Sequence, residues 1–315
     1  MNRRDFLQAT SASLALTALP AGFAARSSSR KMTIALTPGS IGVTVRTQQE
    51  ANDLAHRHRF ESVEPRGDEL AGMSAQQLAD TLGDLKAKGL VWSATGLTVD
   101  FRKDDATFKE GLAKLPRIAA ALQKAGASRI GTWLSPSHDT LTYRANFKQH
   151  AVRLREVGNV LKAHGIRLGL EYVGTQLLLV RGRYPFVHTL AETRELIAEI
   201  GTGNIGFVLD TWHWWTANDT EADLLSLQNQ DVVSVDLNDA PKGIPKEQQK
   251  DNERELPAAT GVIDVATFLS ALVKIGYDGP VRPEPFNKVL NALDNDPACA
   301  ATSAALHKAM GMIRA

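Results

Sequence analysis

The chain reads as a single α/β domain folded as a (β/α)8 TIM barrel, and three observations predict this. Short apolar runs alternate with longer amphipathic segments from Met32 onward, the pattern of a parallel sheet covered by helices. There are eight such runs, the number that closes a sheet into a barrel. The last four each end in an acidic residue where a strand would give way to a loop: Glu171 in IRLGLEYVG, Asp210 in IGFVLDTWHWW, Asp236 in VVSVDLNDAP and Glu284 in GPVRPEPFN. An open doubly wound sheet is the competing architecture, but no GxGxxG fingerprint follows the first run.

The strand segments are predicted at residues 32–36, 62–65, 91–95, 129–133, 166–171, 205–210, 232–237 and 280–283. A run such as Ile-Arg-Leu-Gly-Leu is too short for a helix and fits a buried strand. Helical periodicity predicts helices over 48–59, 75–88 and 146–164. Gly89, Gly126, Gly165 and Gly201 stand where helices should stop, because glycine accepts the left-handed conformation of a C-terminal cap.

The first residues are expected to lie outside this domain. Arg3 and Arg4 precede Phe6-Leu7 as a twin-arginine pattern, an Ala/Leu/Ser/Thr-rich stretch follows, and small residues between Gly22 and Ala25 suit cleavage. The division predicted is a signal peptide at 1–24 and a barrel domain at 25–315, with a periplasmic destination. The apolar stretch falls short of the ~20 residues a bilayer span needs, and no later segment supplies one. The twin-arginine resemblance implies contact with that export machinery, which carries proteins already folded.

Composition narrows the function. The 36 Lys+Arg and 35 Asp+Glu give a net charge of +1. Without Arg3, Arg4 and Asp5 the two classes balance at 34 each. No basic excess is left to hold a phosphate backbone, which argues against a nucleic-acid partner. One cysteine, Cys299, cannot form an internal disulfide.

Barrel geometry turns sequence position into site position, since active sites sit at the C-terminal ends of the strands. Adjacent strands lie ~5 Å apart, so carboxylates on the fifth to eighth strands can surround one ion. Four such groups repel one another unless a cation relieves them. The expected ligands are therefore Glu171, Asp210, Asp236 and Glu284. An all-carboxylate set favours hard ions, Mn²⁺ or Mg²⁺, over zinc.

With those residues in place, the chain resembles the xylose isomerase-like barrel superfamily of ketose epimerases, sugar isomerases, inosose dehydratases and family 2 abasic-site endonucleases. The resemblance rests on Leu170-Glu171-Tyr172, on Leu209-Asp210-Thr-Trp-His213, and on Gly261-Val-Ile-Asp264, Gly276-Tyr-Asp-Gly-Pro280 and Glu284-Pro285-Phe286. It implies that Glu171, Asp210 and Glu284 hold a divalent metal. The seventh strand departs from the pattern, carrying Asp236-Leu-Asn-Asp239 where the family commonly has His; Asp236 either ligates or points at a structural Arg or Lys. The resemblance also makes His213 and Arg254 substrate contacts, against the alternatives of a surface histidine and a solvated loop charge. Trp133 at the fourth strand end, and Trp212, Trp214 and Trp215 after the sixth, either stack on a sugar or pack between sheet and helices. Pro257-Ala-Ala-Thr-Gly261 replaces the family's Pro-Gly-x-Gly turn, so that loop is expected to differ.

The chemistry expected is proton transfer beside a carbonyl, with Glu171 and Glu284 as the acid–base pair. Isomerisation, epimerisation and elimination of water share that enolisation step, and the residues do not choose among them. The expected substrate is an unphosphorylated sugar or keto-sugar, since no phosphate-cradling glycine loop is present. Phosphodiester cleavage is disfavoured by the few histidines at strand ends, and a non-catalytic sugar-binding barrel would need no metal. Oligomeric state is open. Replacing Arg3 and Arg4 by lysine should abolish the mature-size periplasmic form in a fractionation blot; undiminished export would defeat the signal assignment.

Overall fold

The eight apolar runs form strands because their Val, Ile, Leu and Phe side chains suit a sheet buried on both faces. The computed structural model describes residues 30–314, so the signal segment expected at 1–24 lies outside the described residues. The strands are β1 (Thr33–Leu36), β2 (Ser62–Val63), β3 (Val91–Trp92), β4 (Thr95–Gly96), β5 (Arg129–Trp133), β6 (Ser137–His138), β7 (Arg167–Glu171), β8 (Tyr184–Pro185), β9 (Ile205–Asp210), β10 (Val232–Leu237) and β11 (Pro280–Pro283). Nine of them form a parallel sheet in the order β3-β2-β1-β11-β10-β9-β7-β5-β4. The ends of this sheet, β3 and β4, are joined through Ser93 and Ala94. Ser93 N–H donates to the Val63 carbonyl (2.9 Å) and Leu97 N–H to the Gly131 carbonyl (2.9 Å), so residues 91–97 act as one stave paired on both sides. The sheet is therefore closed into a barrel of eight staves, and β7, β9, β10 and β11 are the fifth to eighth. The short antiparallel pair β6–β8 stands outside the barrel and was not expected.

Helices follow the staves with small shifts from the expected bounds. They run over Gln48–Arg57, Ala75–Ala87 and Tyr143–Ala163. Gly89, Gly126, Gly165 and Gly201 all take φ between +67° and +77°, the left-handed stop signal anticipated for them.

Close packing inside the barrel needs two of its strand glycines. Gly131, Gly169 and Gly206 sit side by side in register on β5, β7 and β9. A Cβ on Gly169 would lie 2.7 Å from Val208 Cγ2, and one on Gly206 would lie 2.2 Å from the Asp231 carbonyl oxygen. The lower mouth is held by arginines: Arg129 Nη1 donates to the Val233 carbonyl (2.8 Å) and its Nη2 meets Asp278 (2.9 Å). Trp212 and Trp214 are buried in the core, so packing decides their fate. Cys299 is buried as well. No helix among the described residues is long and apolar enough to cross a membrane.

His150, on the helix Tyr143–Ala163, is a core residue with a measurable signature. Its Nδ1–H donates to the Asn146 carbonyl (2.9 Å), while Nε2 has no hydrogen-bond partner. Its ring sits 4.7 Å from Phe186 and 5.3 Å from Phe101. Burial in these surroundings pushes its pKa down to about 4. A histidine depressed in the folded state contributes stability above its ordinary pKa, and that contribution is lost as pH falls toward the folded value. Lowering the pH from 7 to 5 should therefore cost about 2 kcal/mol of unfolding free energy through this residue. Urea titrations of wild type and His150→Met at both pH values check this: the variant should lose correspondingly less.

Candidate functional site

The register carries the four acidic residues to one end of the barrel. Glu171 ends β7 and lies beside Trp133, the last residue of β5. Asp210 ends β9 and faces Asp236 on β10, while Asp236 faces Arg282 on β11. Glu284 follows β11 and ties back through its N–H to the Leu237 carbonyl (3.1 Å). Like charges opposite one another on adjacent strands are destabilising, so the Asp210–Asp236 neighbours need counter-charges.

Two guanidiniums supply them. Arg282 grips Asp236 with both donors, Nε to Oδ1 (2.7 Å) and Nη2 to Oδ2 (2.5 Å). Asp236 thus has the structural arginine partner that one of its two alternatives invokes, and that partner is also its cross-strand neighbour, while its carboxylate still lies within ligand distance of Glu171 and Glu284. Arg254, only 2% exposed, enters from the loop after β10. Its Nη1 donates to Asp210 Oδ2 (2.8 Å) and to Glu284 Oε2 (3.1 Å), and its Nη2 to Asp251 Oδ1 (2.9 Å). The Asp239 backbone pairs with Glu255, and the Asp239 carboxylate accepts from the N–H groups of Thr260, Gly261 and Ile263. These bonds fix the strand-side root of the loop that carries Arg254. The turn Pro257–Gly261 holds Ala258 at φ +55°, a conformation easier for glycine than for alanine.

The charges remain unbalanced. Four carboxylates against Arg254 and Arg282 leave a formal deficit of two positive charges, before Asp251 is counted. Burial, then Glu284, Asp210 and Asp236, push the Glu171 pKa well above the usual carboxylate range. Burial and Asp236 do the same to Glu284. Asp210 behaves differently: burial alone would raise it, but Arg254 above all, with the Asn238 amide, holds it low. That amide reaches Asp210 Oδ1 at 3.0 Å, and the Trp212 N–H reaches the same oxygen at 2.5 Å.

This donor set fits a divalent cation. Glu171 Oε1 is buried with no hydrogen-bond partner, an orphaned acceptor of the kind a cation satisfies. Ligand atoms of Glu171, Asp236 and Glu284 lie within 4.8 Å of one another, as do those of Glu171, Asp210 and His213. His213 is a poor ligand in its present setting. Its Nδ1 faces the Gly174 N–H and its Nε2 faces Arg254 Nη2, both at 3.3 Å, so a neutral ring can accept from only one of these two donors. Burial lowers the His213 pKa, which keeps the ring neutral. Asp251 Oδ1 and Glu171 Oε1 each stand 3.7 Å from Nε2. The remaining donors are all oxygens.

A cavity of about 480 Å³ opens above this floor, lined by Glu171, Glu284, His213, Arg254, Asp251 and Trp133 among others. Asp210 and Asp236 are sealed behind it, at 0% and 1% exposure. The sequence-predicted residues are thus brought together, Trp133 forming part of the wall. Arg282, Asn238, Asp251 and Phe286 escaped sequence reading. Only Arg282, two residues before Glu284 in a strand, carried a signal: a lone charge in an apolar run needs a partner.

The chain belongs to the xylose isomerase-like TIM barrel family, whose model matches residues 53–310. A xylose isomerase domain protein from Alicyclobacillus acidocaldarius superposes with a TM-score of 0.77 at 30% identity, covering 89% of this chain and 99% of that one. The inosose isomerase of Halalkalibacterium halodurans is 27% identical over 42% of this chain, a match spanning only 44% of that relative's length. The ketose 3-epimerase of Arthrobacter globiformis is 28% identical, covering 61% of each chain.

The raised glutamates make a pH prediction. A carboxylate whose folded pKa is raised contributes stability below its unfolded value, and loses it as pH rises through the folded one. In chelator, the melting temperature should fall as pH rises above the ordinary carboxylate range, and the double variant Glu171→Gln/Glu284→Gln should flatten that fall.

Proposed function

We propose that this protein is a divalent-metal-dependent sugar isomerase or epimerase, exported through its twin-arginine segment, that moves a proton beside the carbonyl of an unphosphorylated sugar or keto-sugar. The observation that carries the reading is the division of the four acids. Two glutamates with raised pKa values share the cavity wall, and two aspartates lie sealed behind them. A non-catalytic barrel has no use for two cavity-lining carboxyls whose protonated forms are favoured by burial and neighbouring charge.

Glu171, Asp210 and Glu284, with Asp236 behind them, would hold the ion, and Mn²⁺ or Mg²⁺ suits the oxygen donors. When bound, it polarises the substrate's carbonyl and adjacent hydroxyl oxygens. Glu171, whose Oε1 makes no competing hydrogen bond, takes the proton from carbon. Glu284, on the far strand and bonded to Arg254, returns one from its own side. The buried Arg254 guanidinium, held permanently protonated by the surrounding carboxylates, faces the negative charge that develops on oxygen. His213, beside Arg254 on the cavity lining, would contact a substrate hydroxyl. The names of the relatives, an inosose isomerase and a ketose 3-epimerase, support a polyol-type substrate. Elimination of water begins with the same proton abstraction.

Purified protein should hold one divalent ion per chain by elemental analysis, and Asp210→Ala should lose it. With a panel of sugars and keto-sugars in D₂O, the wild type should place deuterium at the enolised carbon. Glu171→Gln and Glu284→Gln should each slow turnover by roughly 10²–10⁴-fold, with metal content measured beside the rate. Turnover with neither solvent exchange nor internal hydrogen transfer would exclude this chemistry.

A further inference from the structure

We propose that the molecule taken by this cavity is a keto-glycoside-type substrate: a keto-sugar or keto-cyclitol ring, with its carbonyl on a ring carbon other than the substituted one, bearing an apolar, ring-sized substituent that packs against Trp133. The inference rests on reading the cavity as a sugar site. Its first support is volume. The cavity measures about 480 Å³. A hexose has the bulk of about six waters, ~180 Å³ at ~30 Å³ each. A lone monosaccharide therefore leaves more than half of the space unfilled.

The second support is the chemistry of that surplus. The floor is charged, but Trp133, Pro136, Val173, Leu177, Leu178 and Phe286 make the wall apolar. Trp133 and Leu177 remain 46% and 42% exposed. A free sugar, hydroxylated along every edge, would leave this wall wet; an apolar substituent would dry it.

The third support is that the wall is built rather than incidental. The Arg102 guanidinium stacks 4.3 Å over the Trp133 ring and donates to the Trp133 carbonyl at 2.6 Å. Arg102 is in turn placed by the Phe101 ring (4.7 Å) and by Asp100 (3.3 Å). An exposed indole is thereby fixed in advance, which lowers the ordering cost of stacking on it. Across the cavity Phe286 is held at φ +40°, a strained conformation for a bulky side chain, with its ring 4.8 Å from the Arg254 guanidinium. The strain places an aromatic ring where charged floor and apolar wall meet.

Calorimetry on the Mn²⁺-loaded mature protein tests this with matched pairs, the phenyl glycosides of the gluco, galacto and manno series against their parent sugars. At least one phenyl glycoside should bind roughly tenfold tighter than its parent. Trp133→Ala should shrink that ratio toward one, and Arg102→Ala, which frees the ring without removing it, should shrink it partway. A ratio near one in the wild type, or equal weakening of both partners by Trp133→Ala, overturns the inference and leaves the isomerase reading standing. Tighter binding of the matching sugar phosphates would overturn it too, pointing to the rim cations Arg181 and Lys250. If folded, metal-loaded protein binds no member of any pair, the sugar reading itself fails and this inference with it.

Discussion

The structure is organised by a surplus of negative charge that the barrel buries and cannot leave uncompensated. Asp210 and Asp236 are register neighbours on adjacent strands, almost wholly cut off from water. Ionised groups in that position are costly unless paired and hydrogen-bonded. Arg282 answers from the next strand and Arg254 from a loop, each with geometry that satisfies more than one acceptor. Removing either arginine would strand a buried carboxylate, a more expensive defect than the loss of an exposed ion pair. The loop after β10 delivers Arg254, and the Asp239 carboxylate spends its acceptors on that loop.

Two arginines stop short of neutrality, and the shortfall falls on all the acids but Asp210. Burial and neighbouring carboxylates raise Glu171, Glu284 and, against the pull of Arg282, Asp236, whereas Asp210 is held low by its donors. One barrel end thus contains carboxylates of two kinds, separated by environment rather than by residue chemistry. Such a separation assigns structural and proton-transferring roles within a single cluster. The longer side chain matters here, because Glu reaches past the strand end into the cavity while Asp stays at the level of the sheet.

Much of this was legible in the sequence, and the remainder was hidden for physical reasons. Alternation of strand and helix gave the barrel, and the positive-φ glycines after four helices marked their ends, because both signals are local. The acids at the last four strand ends were visible because position in a barrel strand fixes position in the mouth. The partner of Asp236 was not visible: it depends on the register of β10 against β11, a long-range property that one strand's sequence does not contain. Asp251 and Asn238 reach the site through loop geometry. Trp212 and Trp214 illustrate the same limit, since burial against distant helices decides their role and the TWHWW motif alone does not. The split of the third stave into β3 and β4 hides in residues 91–97, where one short run must pair with both ends of the sheet.

Loop-borne residues also explain how one barrel mouth combines a charged floor with an apolar wall. Strand ends supply Glu171 and Trp133 side by side in register, so a carboxylate and an indole are placed by the same pair of staves. Everything above that level comes from excursions after β5, β7, β9, β10 and β11, whose lengths are free to vary without disturbing the staves. The floor is constrained by charge balance, because altering one carboxylate disturbs its arginine and the remaining acids. The wall answers only to packing and to what it must cover. Change in substrate is therefore cheapest at the wall, around Trp133, Leu177 and Phe286, while the proton-transfer floor is held by interactions that leave little room to drift.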